Sequence, residues 1–155
     1  SGLDHIFHRI LKMTVNIRHM GFVVNDLNKS LEFYVDNLGF KIYKKANESG
    51  NFINKILGYE KLDLITVKMT IDNGQMIELI DFGKHKELIK NHQLNQSGPT
   101  HIALTVYNLD KVYYKMSNKG VDFISPPIQS PDGLVKVAFC QAPEGTYVEL
   151  VEQLN

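Results

Sequence analysis

Apolar and polar positions alternate with a period of two in several short segments, and this pattern predicts β-strands. The first such segment, residues 15–24, runs into apolar positions at helical spacing that stop at Gly39. A second, residues 102–106, runs into a similar stretch that stops at Gly120. Glycine after a helical pattern indicates the end of a helix, so each strand is predicted to lead into one. The other predicted strands are residues 40–45, 64–71, 75–82, 121–124, 135–141 and 146–152.

The chain contains an internal repeat. Aligning His19 with His101 superposes two similar strand–helix segments without a gap. Aligning Glu78 with Glu149 superposes two similar final strands, again without a gap. Two matches in the same order predict an α+β domain made of two βαβββ half-repeats.

The repeat sets the expected boundaries. Residues 14–94 form the first βαβββ module, with a linking helix over residues 84–92, and residues 95–155 form the second. Residues 1–13 are expected to be an extension, either an amphipathic dimer arm or a leader that precedes a natural start at Met13.

The strand pattern places four ionisable residues on one side of the predicted sheets. If apolar positions such as Ile77 face the packed helices, then Glu78 and His19 face the concave side, and His101 and Glu149 do so in the second half. A buried carboxylate is costly unless it is paired or bound to a metal. A single histidine on a strand is usually an ordinary hydrogen-bonded residue, but four such residues in repeated order favour a divalent-metal site.

Composition narrows the function classes. Seventeen basic and seventeen acidic residues balance, which favours neither nucleic acid nor an anionic membrane as a partner. No segment of the sequence reaches the roughly 18 uncharged apolar residues of a membrane helix. The single cysteine, Cys140, excludes an internal disulfide framework, suits a reducing cytoplasm and is expected to be a small packed hydrophobe.

Several motifs together carry a family resemblance. They are residues 19–27, 30–34, 38–40, 77–79, 101–104, 131–133, 144–145 and 148–150. In these segments the chain resembles the vicinal oxygen chelate superfamily, which includes lactoylglutathione lyase (glyoxalase I), methylmalonyl-CoA epimerase, extradiol dioxygenases, and fosfomycin and bleomycin resistance proteins. The resemblance runs from about Asn16 to the end of the chain.

The resemblance implies a cupped mixed sheet around one divalent ion (Ni, Co, Zn, Mn or Fe), with His19, Glu78, His101 and Glu149 as ligands. It implies a lyase or isomerase that stabilises an enolate or ene-diolate of a small oxygenated substrate. Glu149 is then the preferred general base and Glu78 the second choice. Members of this superfamily are often homodimers, and some build each site from two chains.

The expected substrate pocket is apolar, and its predicted lining residues are Met76, Tyr147, Val23 and Phe52. For Val23 a role as a core residue is the stronger expectation. Residues 51–61 are interpreted either as a lid over the substrate or as a short helix that packs on the sheet.

The sequence departs from bacterial lactoylglutathione lyases at two places. They commonly carry an arginine four residues after the first histidine, where this chain has Val23, and an asparagine four residues after the first glutamate, where it has Phe82. Without a forked cation for the tripeptide carboxylate, glutathione is an uncertain substrate.

Two other functions remain open. An extradiol-type dioxygenase would hold Fe(II) with His19, His101 and Glu149 as a facial triad and leave Glu78 unused. A non-catalytic binder of the drug-resistance kind would need no metal, and the retention of all four residues argues against it.

Overall fold

A computed structural model describes residues 2–5 and 13–155 of the chain. Two helices and a turn of 3-10 helix lie in the first half: α1 (Leu27–Leu31, continued as π-helix over Glu32–Asn37), α2 (Asn51–Leu57) and the turn Gly83–His85. The first four strands are β1 (Met20–Val23), β2 (Lys41–Ser49), β3 (Asp63–Thr70) and β4 (Met76–Asp81). The second half contains β5 (His101–Thr105), α3 (Leu109–Asn118), β6 (Ile128–Gln129), β7 (Val135–Gln141) and β8 (Tyr147–Gln153).

The strands form two four-stranded mixed sheets with equivalent topology, which confirms the predicted half-repeats. The first sheet has the order β1-β4-β3-β2 and the second has the order β5-β8-β7-β6. In each sheet the first strand pairs in parallel with the last, and the other pairs are antiparallel. Among the residues that the structure describes, β1 and β5 therefore each lie at an edge of their sheet.

Side-chain caps and glycines set the limits of the principal helices, and the two glycines are those that the sequence predicts. Asp26 accepts a 3.1 Å hydrogen bond from the Lys29 amide at the start of α1, and Asn108 caps α3 in the same way through Lys111. The connections after these helices pass through Gly39 (φ 80°) and Gly120 (φ 86°), a backbone region that glycine tolerates best.

One continuous hydrophobic core joins the helix-covered faces of the two sheets. Tyr34 is fully buried near its centre, and its ring packs against Phe33 with the centroids 4.9 Å apart. Cys140 is also fully buried, which confirms its expected role as a packed hydrophobe. A second, smaller cluster lies against the opposite face of the first sheet and contains Ile53, Leu62, Leu64, Ile80 and Phe82.

Three predictions of local structure are wrong. The predicted linking helix over residues 84–92 is absent from the structure. Gly83–His85 forms one turn of 3-10 helix, and residues 86–100 have no regular helix. Residues 121–124 contribute only an isolated bridge between Phe123 and Cys140, and Ile128–Gln129 takes the edge position instead. Strand β1 is shorter than residues 15–24, because only the part beside β4 finds hydrogen-bonding partners.

The predicted N-terminal extension is described only in part. Residues 2–5 are helical and exposed, and the remaining positions of its apolar pattern, Ile6, Phe7, Ile10 and Leu11, lie outside the described residues. Within residues 2–5 and 13–155, no helix has the length and apolar character needed to cross a bilayer.

Candidate functional site

The first candidate pair lies where β1 begins. His19 immediately precedes β1, and Glu78 lies in the middle of β4, directly beside Gly21 in the parallel register. His19 Nε2 and Glu78 Oε1 are 3.7 Å apart. Both side chains are mostly covered, with 29% and 13% of their surfaces exposed. The distance is longer than a hydrogen bond, so the two groups face each other without being bonded.

The second pair repeats this arrangement. His101 begins β5, and Glu149 lies two positions beyond its register partner Tyr147 on β8. His101 Nε2 and Glu149 Oε1 are 3.6 Å apart, and these side chains are 44% and 25% exposed. The internal repeat has thus placed a histidine and a glutamate at equivalent points of both sheets.

The hydrogen bonding of His19 fits a ligand role. Its Nδ1 atom is buried and has no hydrogen-bond partner among the described residues. Buried polar atoms are nearly always satisfied, and an exception calls for an explanation. The Nδ1 atom of His19 therefore makes no hydrogen bond to a described residue, and the Nε2 atom faces the Glu78 carboxylate.

The four side chains do not come together within one chain. In the part of the chain that the structure describes, no three His, Cys, Asp or Glu side chains are grouped closely enough to hold one ion. Of the two arrangements that the sequence left open, a site within one chain or a site shared between two chains, the described residues of one chain do not form the first. The chain presents two separate half-sites, His19 with Glu78 and His101 with Glu149.

The four predicted pocket residues lie in different environments. Met76 is half-buried two residues before Glu78, and Tyr147 is half-buried with its hydroxyl donating a 3.0 Å hydrogen bond to the His92 carbonyl. Val23 is 48% exposed, so it is not a core residue. Phe52 is 77% exposed at the start of α2.

Helix α2 covers part of the sheet face that carries Glu78. It packs through Ile53, which contacts the cluster around Leu64 and Ile80, and its Phe52 and Ile56 remain exposed. Residues 51–57 therefore form the short packing helix that was one of the two interpretations of this segment. The helix builds an apolar wall beside the first half-site.

A cavity of about 350 Å³ lies between the two halves. It is lined by β1, the connecting segment and the final hairpin, including Phe22, Leu88, His92 and Glu144, and the predicted pocket residue Val23 also lies in its wall. Among the four candidate ligands only His101 reaches its wall. This cavity is therefore not the space enclosed by the two His–Glu pairs.

A lysine beside the first half-site was not predicted from the sequence. Lys68 lies directly opposite Glu78 in the antiparallel register of β3 and β4, and its Nζ is 3.9 Å from Glu78 Oε2. The signal was available, because the tight turn at residues 72–74 sets this register. At the equivalent place in the second half, Phe139 lies opposite Glu149.

The comparisons with known proteins agree with this architecture. A profile of the Glyoxalase/Bleomycin resistance protein/Dioxygenase superfamily matches residues 16–150. The chain belongs to this superfamily.

Relatives within the superfamily cover most of the chain. A "probable lactoylglutathione lyase" of Synechocystis is 31% identical over 136 residues, which are 86% of this chain and 92% of the relative. The uncharacterized protein YwkD of Bacillus subtilis is 30% identical over 89% of this chain and 97% of its own length. The crystal structure of a glyoxalase family protein from Bacillus cereus superposes with a TM-score of 0.85 at 18% identity, covering 94% and 98% of the two chains. At that identity the superposition supports the superfamily fold alone.

Proposed function

We propose that this superfamily member is a metal-dependent lyase or isomerase that acts on a small oxygenated substrate. The observation that carries the proposal is the equivalence of the two His–Glu pairs, whose nitrogen–oxygen distances are 3.7 Å and 3.6 Å. The unpartnered Nδ1 of His19 supports it. The name of the Synechocystis relative supports the lyase class.

The donor set suits a first-row divalent ion. Two neutral imidazoles and two carboxylates would be supplied by His19, His101, Glu78 and Glu149, and nitrogen and oxygen donors of this kind bind Ni, Co, Zn, Mn or Fe. A dioxygenase triad would leave Glu78 without a role. Because Glu78 stands to His19 as Glu149 stands to His101, the symmetry favours the use of all four residues.

We propose that two copies of the chain complete each site. One chain offers two half-sites, and a symmetric homodimer would bring the first half-site of each copy to the second half-site of its partner. Strands β1 and β5 lie at sheet edges in the described part of the chain, which suits such an approach. Val15, Ile17 and Val23, all near His19 in the chain, expose apolar side chains that a second copy would cover.

In this site, different groups would have different roles in the proton transfer. A bound ion would act as a Lewis acid on the oxygens of the substrate. Glu149 takes the proton from the carbon beside the carbonyl and returns it to the neighbouring position. It is the more accessible of the two glutamates, with its side chain 25% exposed against 13% for Glu78. Glu78 also has the Lys68 ammonium beside it, which stabilises the carboxylate and makes it a weaker base.

The substrate is proposed to differ from a glutathione adduct. Val23 and Phe82 occupy the positions where a cation and an amide would assist tripeptide binding, and Phe82 packs into the apolar cluster beside α2. Neither side chain can bind a carboxylate.

We also propose a cytoplasmic location for the protein. A single reduced cysteine, Cys140, is compatible with it.

Metal analysis tests the first part of the proposal. The protein is stripped with a chelator, reloaded with Ni²⁺, Co²⁺, Zn²⁺ or Mn²⁺, and its metal content is measured by mass spectrometry. We expect about one ion per chain, lost in His19→Ala and in His101→Ala, because a four-ligand site loses most of its affinity with one ligand. Metal content that neither substitution changes would contradict the proposed ligands.

Proton exchange tests the base. The metal-loaded protein is incubated in deuterated buffer with a panel of small α-oxo and α-hydroxy compounds, and exchange is followed by NMR; formation of S-lactoylglutathione is measured in parallel. Glu149→Gln keeps a side-chain oxygen that can bind the ion but cannot accept the proton, so it is expected to retain metal and to reduce the exchange rate by about 10²–10⁴-fold. An unchanged rate would assign the base elsewhere.

A further inference from the structure

The two half-sites have different neighbours at an equivalent position. Lys68 faces Glu78 across β3 and β4, and Phe139 faces Glu149 across β7 and β8. Each lies the same number of residues before its glutamate. Directly opposed residues on an antiparallel pair project from the same face of the sheet, so both side chains stand beside their carboxylates.

The Lys68 ammonium has unused binding capacity. Its side chain is 29% exposed, and its distance of 3.9 Å to Glu78 Oε2 is beyond hydrogen-bond range. It donates no hydrogen bond to any residue that the structure describes. The next residue across the sheet is a second lysine, since Lys44 on β2 is the register partner of Lys68. Like charges directly opposite each other are unfavourable, and a bound anion would relieve their repulsion.

The second half-site presents an aromatic surface instead. The Phe139 ring packs edge-on against the His101 ring with the centroids 5.5 Å apart. The nearest lysine of this sheet in the register is Lys136, which lies opposite Glu152 and is bonded to Asp110 at 3.0 Å. The Lys136 ammonium is therefore paired with Asp110 and not with Glu149.

We propose, on the basis of the function proposed above, that the completed site selects a substrate with an anionic group at one end and an apolar group at the other. Lys68 binds the anionic group next to the half-site of His19 and Glu78. Phe139 packs against the apolar group next to the half-site of His101 and Glu149. The duplicated site thereby binds an asymmetric substrate in one orientation.

Two pairs of chelating probes test this on the metal-loaded protein by isothermal titration calorimetry, without any measurement of activity. Hydroxamates bind a divalent ion through two oxygens. Butyrohydroxamate and the monohydroxamate of succinate have the same length and differ in a terminal carboxylate; acetohydroxamate and benzohydroxamate differ in a ring. We expect the wild type to bind the carboxylated and the aromatic probes more tightly, each by about tenfold, as a charge-assisted contact or an aromatic contact provides.

Three variants separate the contributions. Lys68→Gln is expected to abolish the preference for the carboxylated probe and to leave the preference for the aromatic probe intact. Phe139→Leu is expected to do the reverse, so each variant controls for the other. Lys45→Gln, which removes the same charge from the opposite face of the first sheet, is expected to change neither preference.

The outcomes are distinguishable. Preferences that Lys68→Gln and Phe139→Leu leave at wild-type values would overturn this inference while the metal site stands. A wild-type protein that binds metal but shows neither preference would do the same. A wild-type protein that binds no metal at all would overturn both the inference and the proposed function.

Discussion

Tyr34 of the first half donates a 2.6 Å hydrogen bond to Glu144 of the second half. The hydroxyl of Ser30, one helical turn earlier, donates a 2.8 Å bond to the other oxygen of the same carboxylate. Tyr34 and Ser30 are fully buried, so the hydrogen bonds that join α1 to the turn after β7 are shielded from solvent. A hydrogen bond to a charged acceptor is worth more than one between neutral groups, which makes this contact a principal polar link between the halves.

Removal of the Tyr34 hydroxyl tests this link. Tyr34→Phe is expected to lower the free energy of unfolding by about 2 kcal/mol, because it removes a bond to a partly buried carboxylate. Urea denaturation followed by circular dichroism measures the change. Tyr113→Phe is the matched control, since Tyr113 donates no hydrogen bond within the described residues and its loss should cost little. Equal effects of the two substitutions would contradict the special role of Glu144.

The buried thiol predicts a loss of stability at alkaline pH. Burial raises the pKa of Cys140 from its ordinary value of 9.0 to about 12. Below pH 9 the thiol is protonated in the folded and the unfolded chain alike. Between pH 9 and about 12 the unfolded chain loses the proton and the folded chain keeps it, so the free energy of unfolding falls as the pH rises.

Comparison with Cys140→Ala isolates this effect. Burial, with the nearby Glu144 charge, also raises the pKa of Tyr34, and this second group weakens the fold above pH 10 in both proteins. Thermal unfolding between pH 7 and pH 11 should therefore show a smaller decline for Cys140→Ala than for the wild type. Parallel declines would show that the thiol does not contribute.

The burial of Cys140 also predicts low thiol reactivity. Because Cys140 is the only cysteine in the sequence and is buried, thiol reagents should leave the native protein unmodified at neutral pH.

The final hairpin has no room for a side chain at Gly145. Its φ of 99° is strained for other residues, and a Cβ there would collide with the ring of His92. Gly145→Ala is expected to cost about 3 kcal/mol, from backbone strain and overpacking together. Gly133→Ala, where φ is also positive but the nearest atom belongs to a flexible glutamine end, should cost only about 1 kcal/mol.

A second substitution identifies the collision. Combining Gly145→Ala with His92→Ala should recover part of the lost stability, because the ring is gone and the His92 carbonyl still accepts the hydrogen bond from Tyr147. Chemical denaturation of the four proteins in this cycle gives the coupling energy. If the losses of unfolding free energy in the two single variants simply add in the double variant, the cost of Gly145→Ala comes from backbone strain alone.

Mixing two inactive variants tests whether the sites are shared between copies. In a dimer of His19→Ala with His101→Ala, one site collects both substitutions and the other keeps all four ligands. Metal binding and exchange activity should therefore reappear on mixing after partial denaturation and refolding. A mixture of His19→Ala with Glu78→Ala damages both sites of every dimer and should stay inactive. Failure of the first mixture to regain metal would contradict shared sites.

The sequence by itself determined the elements that depend on local chemistry. The alternation of apolar and polar residues predicts β7 to the residue, and the helical spacing that stops at Gly39 and at Gly120 predicts where the two principal helices end. The duplicated pattern predicted the two equivalent sheets and the placement of each histidine on the same face of its sheet as a glutamate. These features were predictable because strand parity and turn geometry act over a few residues.

Only the tertiary structure decided the features that depend on distant partners. Residues 84–92 have a helical pattern, but Lys86 is bonded to the Asn25 carbonyl and to Asp81, and the Tyr147 hydroxyl is bonded to the His92 carbonyl. These contacts are more consistent with an extended connection than with a helix. The link from Tyr34 to Glu144, and the separation of the two half-sites within the described chain, likewise arise from how the two sheets pack. Local patterns carry no information about that packing, because it is the sum of contacts between residues far apart in the sequence.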